Sequence, residues 1–367
     1  MIEELIFILV LIVAVSSTIV VLYNYITNPV FVEKDECSEN PKVSILIPMR
    51  NEENNIGECL NSVLNQSYNN YEVIVLDDNS EDSSAEKVNS LINDKNKLSL
   101  LQGEPLPPGW LGKNWACHQL SQKAAGEYLL FIDADVTITK GVVQSAINAM
   151  KKNNLSMLTV FPTQHIDNWR VRLIIPMMNW LLLSFLPLRK VFTSNKKSFV
   201  AANGQFILFS RDAYQKVGGH SAVKSQVVED MELARLIKGD NYKMMTLVGG
   251  NHIFCKMYST FTEAFNGFSK NYYAGFNTNP MVFLFLIALF QLVYTVPFLS
   301  WAFMPKYNIV VLLILFSRAM MSILSKQNII WNILLHPFQM VISFLIGINS
   351  VLIYFTKRGT WKGRKIE

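Results

Sequence analysis

The feature that most restricts this chain is where its apolar residues fall. Residues 5–23 (LIFILVLIVAVSSTIVVLY) run for 19 positions without a charge, about the length a helix needs to cross a bilayer core. Glu3 and Glu4 precede the run where a secretory leader would carry basic residues, so the reading is a retained helix and not a cleaved signal peptide. Lipid-like composition then stops and returns in three later blocks, residues 281–304, 308–324 and 329–355. The first and last of these are long enough to span. The middle one carries Arg318, which is costly inside a membrane unless paired or near an interface. The expected plan is an anchor (1–28), a globular domain (40–278), membrane helices (280–356) and a basic tail (357–367).

Charge bias sets an expected orientation. The N-terminus holds Glu3 and Glu4 with no Lys or Arg, and the tail holds Lys357, Arg358, Lys362, Arg364 and Lys365. The tail is therefore expected in the cytoplasm, with the globular domain also facing the cytoplasm of a multi-pass cell-membrane protein. Both hold only if an even number of the C-terminal segments cross, yet there are three candidates. One is expected to be re-entrant or interfacial, either the Arg318 segment or the break at His336 and Pro337.

The four cysteines, Cys37, Cys59, Cys117 and Cys255, form no CxxC pair, so neither a zinc site nor a disulfide framework is indicated. The net charge of +5 comes from basic residues flanking membrane segments, without a basic stripe interleaved with aromatics, so no nucleic-acid partner is expected.

Between the apolar ends, strand and helix signals alternate. KVSILIP (42–48) is a β-branched run, and behind it Ile56, Leu60, Val63 and Leu64 recur at helical spacing. YEVIVLDDNS (71–80) repeats the strand, Ala85, Val88, Leu91 and Ile92 repeat the helix, and LSLLQG and EYLLFIDAD supply two more strands. This alternation predicts an α/β domain with a mostly parallel sheet. Such sheets bind ligands beyond the carboxyl ends of their strands. Pro48, Arg50, Asn51 and Glu52 share that rim with Asp77 and Asp78, and with Asp133 and Asp135 of LLFIDADVT. A single aspartate there is more often a cap or turn residue. Capping explains three acidic strand ends less well. Two carboxylates one residue apart are costly in an apolar core, but they can share a divalent cation with phosphate oxygens. No GxxxxGKS, GxxxxGKT or post-strand GxGxxG occurs, which argues against nucleoside triphosphatase and dinucleotide chemistry.

The blocks VSILIPMRNEENNI, VIVLDDNSEDSS, GKNWACHQLSQKAAGEYLLFIDADV, AANGQFILFSRDAYQKVGGH and VVEDMELARLIK, in this order, resemble the motif series of inverting family 2 glycosyltransferases of GT-A fold. The resemblance covers roughly residues 42–275. PPGWLGKNWACHQ, FTEAFNGFSKN and WKGRK are similar to membrane-anchored members of carotenoid-acid and hopanoid-associated type.

The resemblance implies roles for individual positions. Pro48, Arg50, Glu52 and Asp78 would line a nucleotide pocket, Gly112 and Lys113 would approach the donor phosphates, and Asp230 would be the catalytic base. Asp135 and Asp133 would hold magnesium (Mg2+) or manganese (Mn2+), with Asp133 alternatively touching the sugar or nucleotide. Gly204, Gln205 and Glu229 would face the acceptor or diphosphate. A QxxRW motif, carried by many processive members, is missing from residues 255–273, and Lys256 and Lys270 are the substitutes for meeting the diphosphate. Each role has a plainer rival: Lys113 as a solvated lysine, Glu229 and Asp230 as acids at a helix N-terminus, the two lysines at lipid headgroups.

The implied reaction is inverting transfer of a hexose, glucose from UDP-glucose, to a lipid acceptor. The acceptor group is either the carboxylate of a carotenoid acid or the hydroxyl of another lipid or envelope glycan. A membrane-bound nucleotidyltransferase is the alternative of a different class; it would not call for the VVED and ANGQF blocks. Residues 170–190, apolar in the middle, flanked by Arg170, Arg172, Arg189 and Lys190 and interrupted by Pro176 and Pro187, predict an interfacial helix that offers such an acceptor a route.

Overall fold

A computed structural model describes residues 1–33, 40–93, 97–356, 358, 360–361 and 364–365. Cys37, Lys357 and Lys362 lie outside the described residues. The chain divides into two compact units, one of Met1–Pro29, Ile166–Lys190 and Met257–Gly359, the other of Val30–His165, Val191–Lys256 and Thr360–Glu367.

The globular unit contains strands β1 (Val43–Met49), β2 (Tyr71–Asp77), β3 (Leu98–Gln102), β4 (Tyr128–Ile132), β5 (Val136–Ile138), β6 (Met157–Phe161), β7 (Thr163–Gln164), β8 (Phe206–Ser210), β9 (Met244–Val248) and β10 (Ile253–Cys255). Seven of them form one sheet in the order β3-β2-β1-β4-β8-β6-β9. Only β8 runs antiparallel, to β4 on one side and β6 on the other. The expected mostly parallel α/β sheet is present, and all four strands read from the sequence belong to it. β5, β10 and β7 make a small second sheet.

β1 is buried at every position, as a β-branched and Leu-rich central strand should be. After β1 and β2 the chain turns through Asn51 (φ 51°) and Asn79 (φ 55°), two left-handed positions that asparagine tolerates better than most side chains. These turns bring the two loops together: Asn51 N donates to Ser80 Oγ (3.0 Å), and Glu81 N donates to Asn51 Oδ1 (2.8 Å). Gly126, just before β4, leaves no room for a side chain. A Cβ there would lie 2.5 Å from Ser44 N and 2.8 Å from Lys42 O, both backbone atoms of the β1 segment. Gly126→Ala is expected to destabilise the fold by about 1–3 kcal/mol, the usual cost of overpacking. A lowered thermal midpoint of the detergent-solubilised protein is the readout.

The second unit is helical. Among the described residues four helical segments are long and apolar enough to cross a membrane: Ile2–Thr27, Pro280–Ser300, Pro305–Leu324 and His336–Thr356. The Asn308–Leu324 helix runs parallel to the N-terminal one. Lys306 meets Glu3 (2.6 Å) and Glu4 (2.7 Å), Phe7 packs edge-on to Tyr307, and Thr18 Oγ1 meets Ser317 Oγ (3.0 Å). The last helix starts elsewhere. His336 lies against Tyr294 O (3.0 Å), and Tyr294 in turn donates to Ser17 Oγ (2.7 Å). Ser17 is about 22 Å along its helix from Ile2 at ~1.5 Å per residue. The His336–Thr356 helix therefore begins well inside the bundle and runs back along Pro280–Tyr294, with Gly347 against Ile287 and Tyr272 OH 3.1 Å from Ser343 Oγ.

Two boundaries differ from the sequence reading. Residues 170–190 form three short pieces and not one helix, Val171–Leu173, Pro176–Phe185 and the start of Arg189–Thr193, and group with the apolar helices. Trp180 and Leu183 are buried, Trp180 packs on Phe290 and Tyr294, and Asn24 Nδ2 donates to Leu183 O and Leu186 O (both 2.9 Å). The apolar face is covered by neighbouring helices, which composition alone cannot distinguish from lipid. Phe261–Phe276, opened by a Thr260–Glu263 capping box, also falls in the helical unit and not in the globular domain expected to reach 278.

Candidate active site

The loops after β1, β2 and β4 and the N-termini of two helices carry the polar residues of the rim. Lys113 is the second residue of the Gly112–Lys123 helix, and Glu229 and Asp230 open the Glu229–Gly239 helix. These distant segments meet. Lys113 Nζ lies 2.7 Å from Asp133 Oδ1, 2.9 Å from Asp133 Oδ2 and 3.5 Å from Glu229 Oε1. With Pro48, Gly204 and Asp230 they line one cleft.

Gly204 lets the backbone come close to these side chains. Its N–H donates to Asp230 Oδ2 (2.8 Å), and a Cβ would stand 3.1 Å from Lys113 Nζ and 3.2 Å from Glu229 Oε1. Asp230 Oδ1 also accepts from Met231 N (2.7 Å). Despite these bonds the Asp230 carboxyl is pushed up to about 7, first by burial and then by the charge of Glu229. Burial alone would lower Lys113, but the charges of Asp133 and Glu229 outweigh it and hold the ammonium well above its ordinary range.

Asp135 does not line that cleft. It is the last residue of the turn before β5, its carbonyl accepts from Lys256 N (3.2 Å), and its Oδ1 is buried without a hydrogen-bond partner. Burial, then the charges of Asp133 and Glu52, push its carboxyl up to about 7. A crowded carboxylate with a buried bare oxygen is what a cation would relieve, so Asp135 with Asp133 fits the donor set of a divalent metal. Among the described residues no three His, Cys, Asp or Glu side chains converge on one point. A cation held there would take its remaining ligands from water and substrate phosphates.

The other positions read from the sequence separate. Arg50 is buried, and its Nη1 donates to Asp78 O (2.6 Å) and Asn79 O (2.8 Å) while Nη2 meets Glu81 (3.3 Å), so it braces the β1 and β2 loops. Glu52 accepts from Asn55 Nδ2 (2.8 Å), and Asp78 is buried with its N–H on Met49 O (2.8 Å). Gln205 is buried; its Oε1 accepts from Gln164 Nε2 (3.1 Å) and its Nε2 donates to Cys255 Sγ (2.9 Å). Lys256 follows β10 in the globular unit, whereas Lys270 is on Phe261–Phe276 in the helical unit.

A titratable residue to which the sequence assigned no role also lines this cleft. His220, in VGGH, is buried; its Nδ1 lies 2.7 Å from Tyr214 OH and its ring packs 4.9 Å from that of Phe131. Burial lowers it to about 3, so it stays a neutral part of the cleft floor. The VGGH block marks the place in the sequence, but only the contacts with Tyr214 and Phe131 bring His220 to the cleft.

Residues 44–218 match the family model described as glycosyl transferase family 2. This matched segment, which lies within the globular unit except for residues 166–190, is a family 2 glycosyltransferase domain. The chain resembles the 4,4'-diaponeurosporenoate glycosyltransferase of Staphylococcus haemolyticus, with 24% identity over 268 residues, covering 70% of this chain and 68% of that protein. An uncharacterized glycosyltransferase of Haemophilus influenzae is 34% identical over 117 residues, which cover 32% of this chain and 45% of the relative's own length. A mannosyltransferase from Pyrobaculum calidifontis, solved with GDP-Man and Mn2+, has the same GT-A fold. It superposes with a TM-score of 0.56 at 16% identity, over 95% of this chain and 99% of that one.

Proposed function

We propose that this protein transfers a hexose, glucose from UDP-glucose, with inversion to a lipid acceptor, and that the acceptor group is the carboxylate of a carotenoid acid. The observation that carries the reaction class is the cleft in which Lys113 bridges Asp133 and Glu229 beside the Asp230 carboxylate. The acceptor is drawn from the diaponeurosporenoate-named relatives, with which the likeness extends over 70% of this chain.

An acceptor oxygen attacks the anomeric carbon from the face opposite the diphosphate, and the bond to the diphosphate breaks with its electron pair leaving on UDP. Lys113 is placed to offset the charge that develops on that leaving group. Asp135 and Asp133 would hold magnesium or manganese, which when bound supplies further charge neutralisation at the diphosphate. Pro48, Arg50, Glu52 and Asp78 would line the nucleotide pocket, and Gly112 would approach the donor phosphates beside Lys113.

A second reading, transfer to a hydroxyl, is favoured by the raised Asp230 carboxyl: a base whose pKa lies near 7 is matched to taking a proton from an alcohol at neutral pH. The test is incubation of membranes containing the protein with radiolabelled nucleotide sugars and lipid extracts, followed by mass spectrometry. A hexose ester of an acidic lipid is expected. A hexose ether-type glycoside shifts the reading to an alcohol acceptor, and nucleotide transfer without sugar transfer overturns it.

The globular domain and tail are placed in the cytoplasm of a cell-membrane protein. Support comes from Lys306 meeting Glu3 and Glu4, which sets the 301–307 turn at the end opposite Thr27, and from the last helix beginning inside the bundle. Two C-terminal segments then cross, and the third, His336–Thr356, with the Ile329–Leu334 helix before it returns to the side it came from. A cysteine replacing Lys365 in a cysteine-free chain should be labelled by an impermeant maleimide in inverted vesicles and protected in intact cells.

A further inference from the structure

The helical unit buries a cation that sugar transfer does not use. Arg318 is 3% exposed, on a helix apolar enough to span a membrane and about 9 Å from that helix's end at ~1.5 Å per residue. Its Nε reaches Asn332 O at 3.4 Å, its Nη2 is buried without a partner, and among the described residues no carboxylate pairs with it. An unpaired charge at this depth is expensive, and an intramembrane ionisable group usually marks a site.

The surroundings define what is missing. Asn332 Nδ2 donates to Ser322 Oγ (2.9 Å) and Gln327 Oε1 (3.0 Å), which leaves Gln327 Nε2 buried and unused. His336 Nε2 faces the carbonyl of Tyr294 (3.0 Å), which can only accept, so Nε2 holds the proton and the buried Nδ1 is a bare acceptor. Gln339 Nε2 donates to Arg172 O (2.8 Å), leaving Oε1 buried and unpaired. Two donors, one of them a guanidinium, and two acceptors therefore lack partners around one short hairpin. Water could satisfy the hydrogen bonds, but it would leave the charge unbalanced. Lys326, exposed at the turn with φ 55°, adds a second cation next to Gln327. The cover over Arg318 is the six-residue Ile329–Leu334 helix, whose Ile330 and Leu334 are exposed at 68% and 62% and suited to lipid chains.

We propose that Arg318, with Gln327 and the turn at Lys326, binds the anionic headgroup of a membrane amphiphile, a phosphate or a carboxylate, beneath the hairpin of residues 325–336. The amphiphile's chains lie along the exposed face of the Ile329–Leu334 helix. Such binding is independent of the sugar-transfer reading and is measured without activity. The full chain in phosphatidylcholine nanodiscs is titrated separately with phosphatidylglycerol, the phosphate probe, and oleate, the carboxylate probe. Thermal midpoint and retained lipid by native mass spectrometry are followed. At least one probe should raise the midpoint by several degrees, and which one does so identifies the headgroup chemistry. Arg318→Met should weaken that probe about tenfold or more, the scale of one charge-assisted hydrogen bond. If that variant does not fold, Gln327→Leu should weaken it about threefold, on the scale of a neutral hydrogen bond. Failure of both probes to bind the parent protein selectively, or equal affinity in the parent and the folded variants, overturns the proposal and leaves Arg318 as a hydrated packing residue.

Discussion

Asp135→Asn is expected to reduce sugar transfer by about 10²–10³-fold, the cost of removing one centre of transition-state charge stabilisation, while leaving the fold intact. The carboxyl has a buried bare oxygen and is crowded by Asp133 and Glu52, so its charged form is disfavoured by the fold itself. Asparagine keeps the volume and removes the repulsion. Stability should therefore be unchanged or slightly raised in the variant.

The pH dependence follows with a definite sign. A carboxyl whose folded pKa is raised to about 7 binds its proton more tightly in the folded than in the unfolded chain. Its contribution to stability is full below the ordinary carboxylate range and is lost as pH rises toward 7. Thermal midpoints recorded between about pH 4 and pH 7 in the absence of metal should flatten in Asp135→Asn. Magnesium titration of UDP-sugar turnover is the activity readout. Full activity of the variant at saturating magnesium would remove Asp135 from the cation site.

Asp230→Asn should separate the two acceptors. If the acceptor is a hydroxyl, loss of the base costs about 10²–10⁴-fold in kcat. If it is a carboxylic acid, already ionised at neutral pH, the loss should stay below about tenfold and be smaller than that of Asp133→Asn. The pH profile adds an independent sign. Asp230, raised to about 7 by burial and by Glu229, must lose its proton to act as a base. With an alcohol, kcat/KM should fall as pH drops through 7, and the fall should vanish in Asp230→Asn. With an acid acceptor, Asp230 itself should contribute no such fall. Equal, near-complete losses in Asp230→Asn and Asp133→Asn would count against the carboxylate acceptor.

Much of the site could be read from residue order because a parallel sheet delivers its strand ends to one side. Pro48, Glu52, Asp78, Asp133 and Asp135 could be placed on a common rim before any contact was known. Their individual states could not. Arg50 reads as a pocket residue, yet the left-handed turns at Asn51 and Asn79 present carbonyls that its guanidinium braces. Asp133 and Asp135 look equivalent in LLFIDADVT, but Lys113 ties down the first while an oxygen of the second is buried bare.

The apolar blocks divide in the same way. Hydropathy, a local property, determined that both ends of the chain are helical and apolar enough for a membrane, and strand-helix alternation determined the α/β domain between them. Only the tertiary structure decided that residues 170–190 are covered by helices, that the last helix starts beside Tyr294, and that Lys113, Gly204 and Asp230 share a cleft. Burial and pairing depend on which distant groups meet, and a residue's charge state and freedom follow from those partners, whereas periodicity and composition record only what each segment would cover.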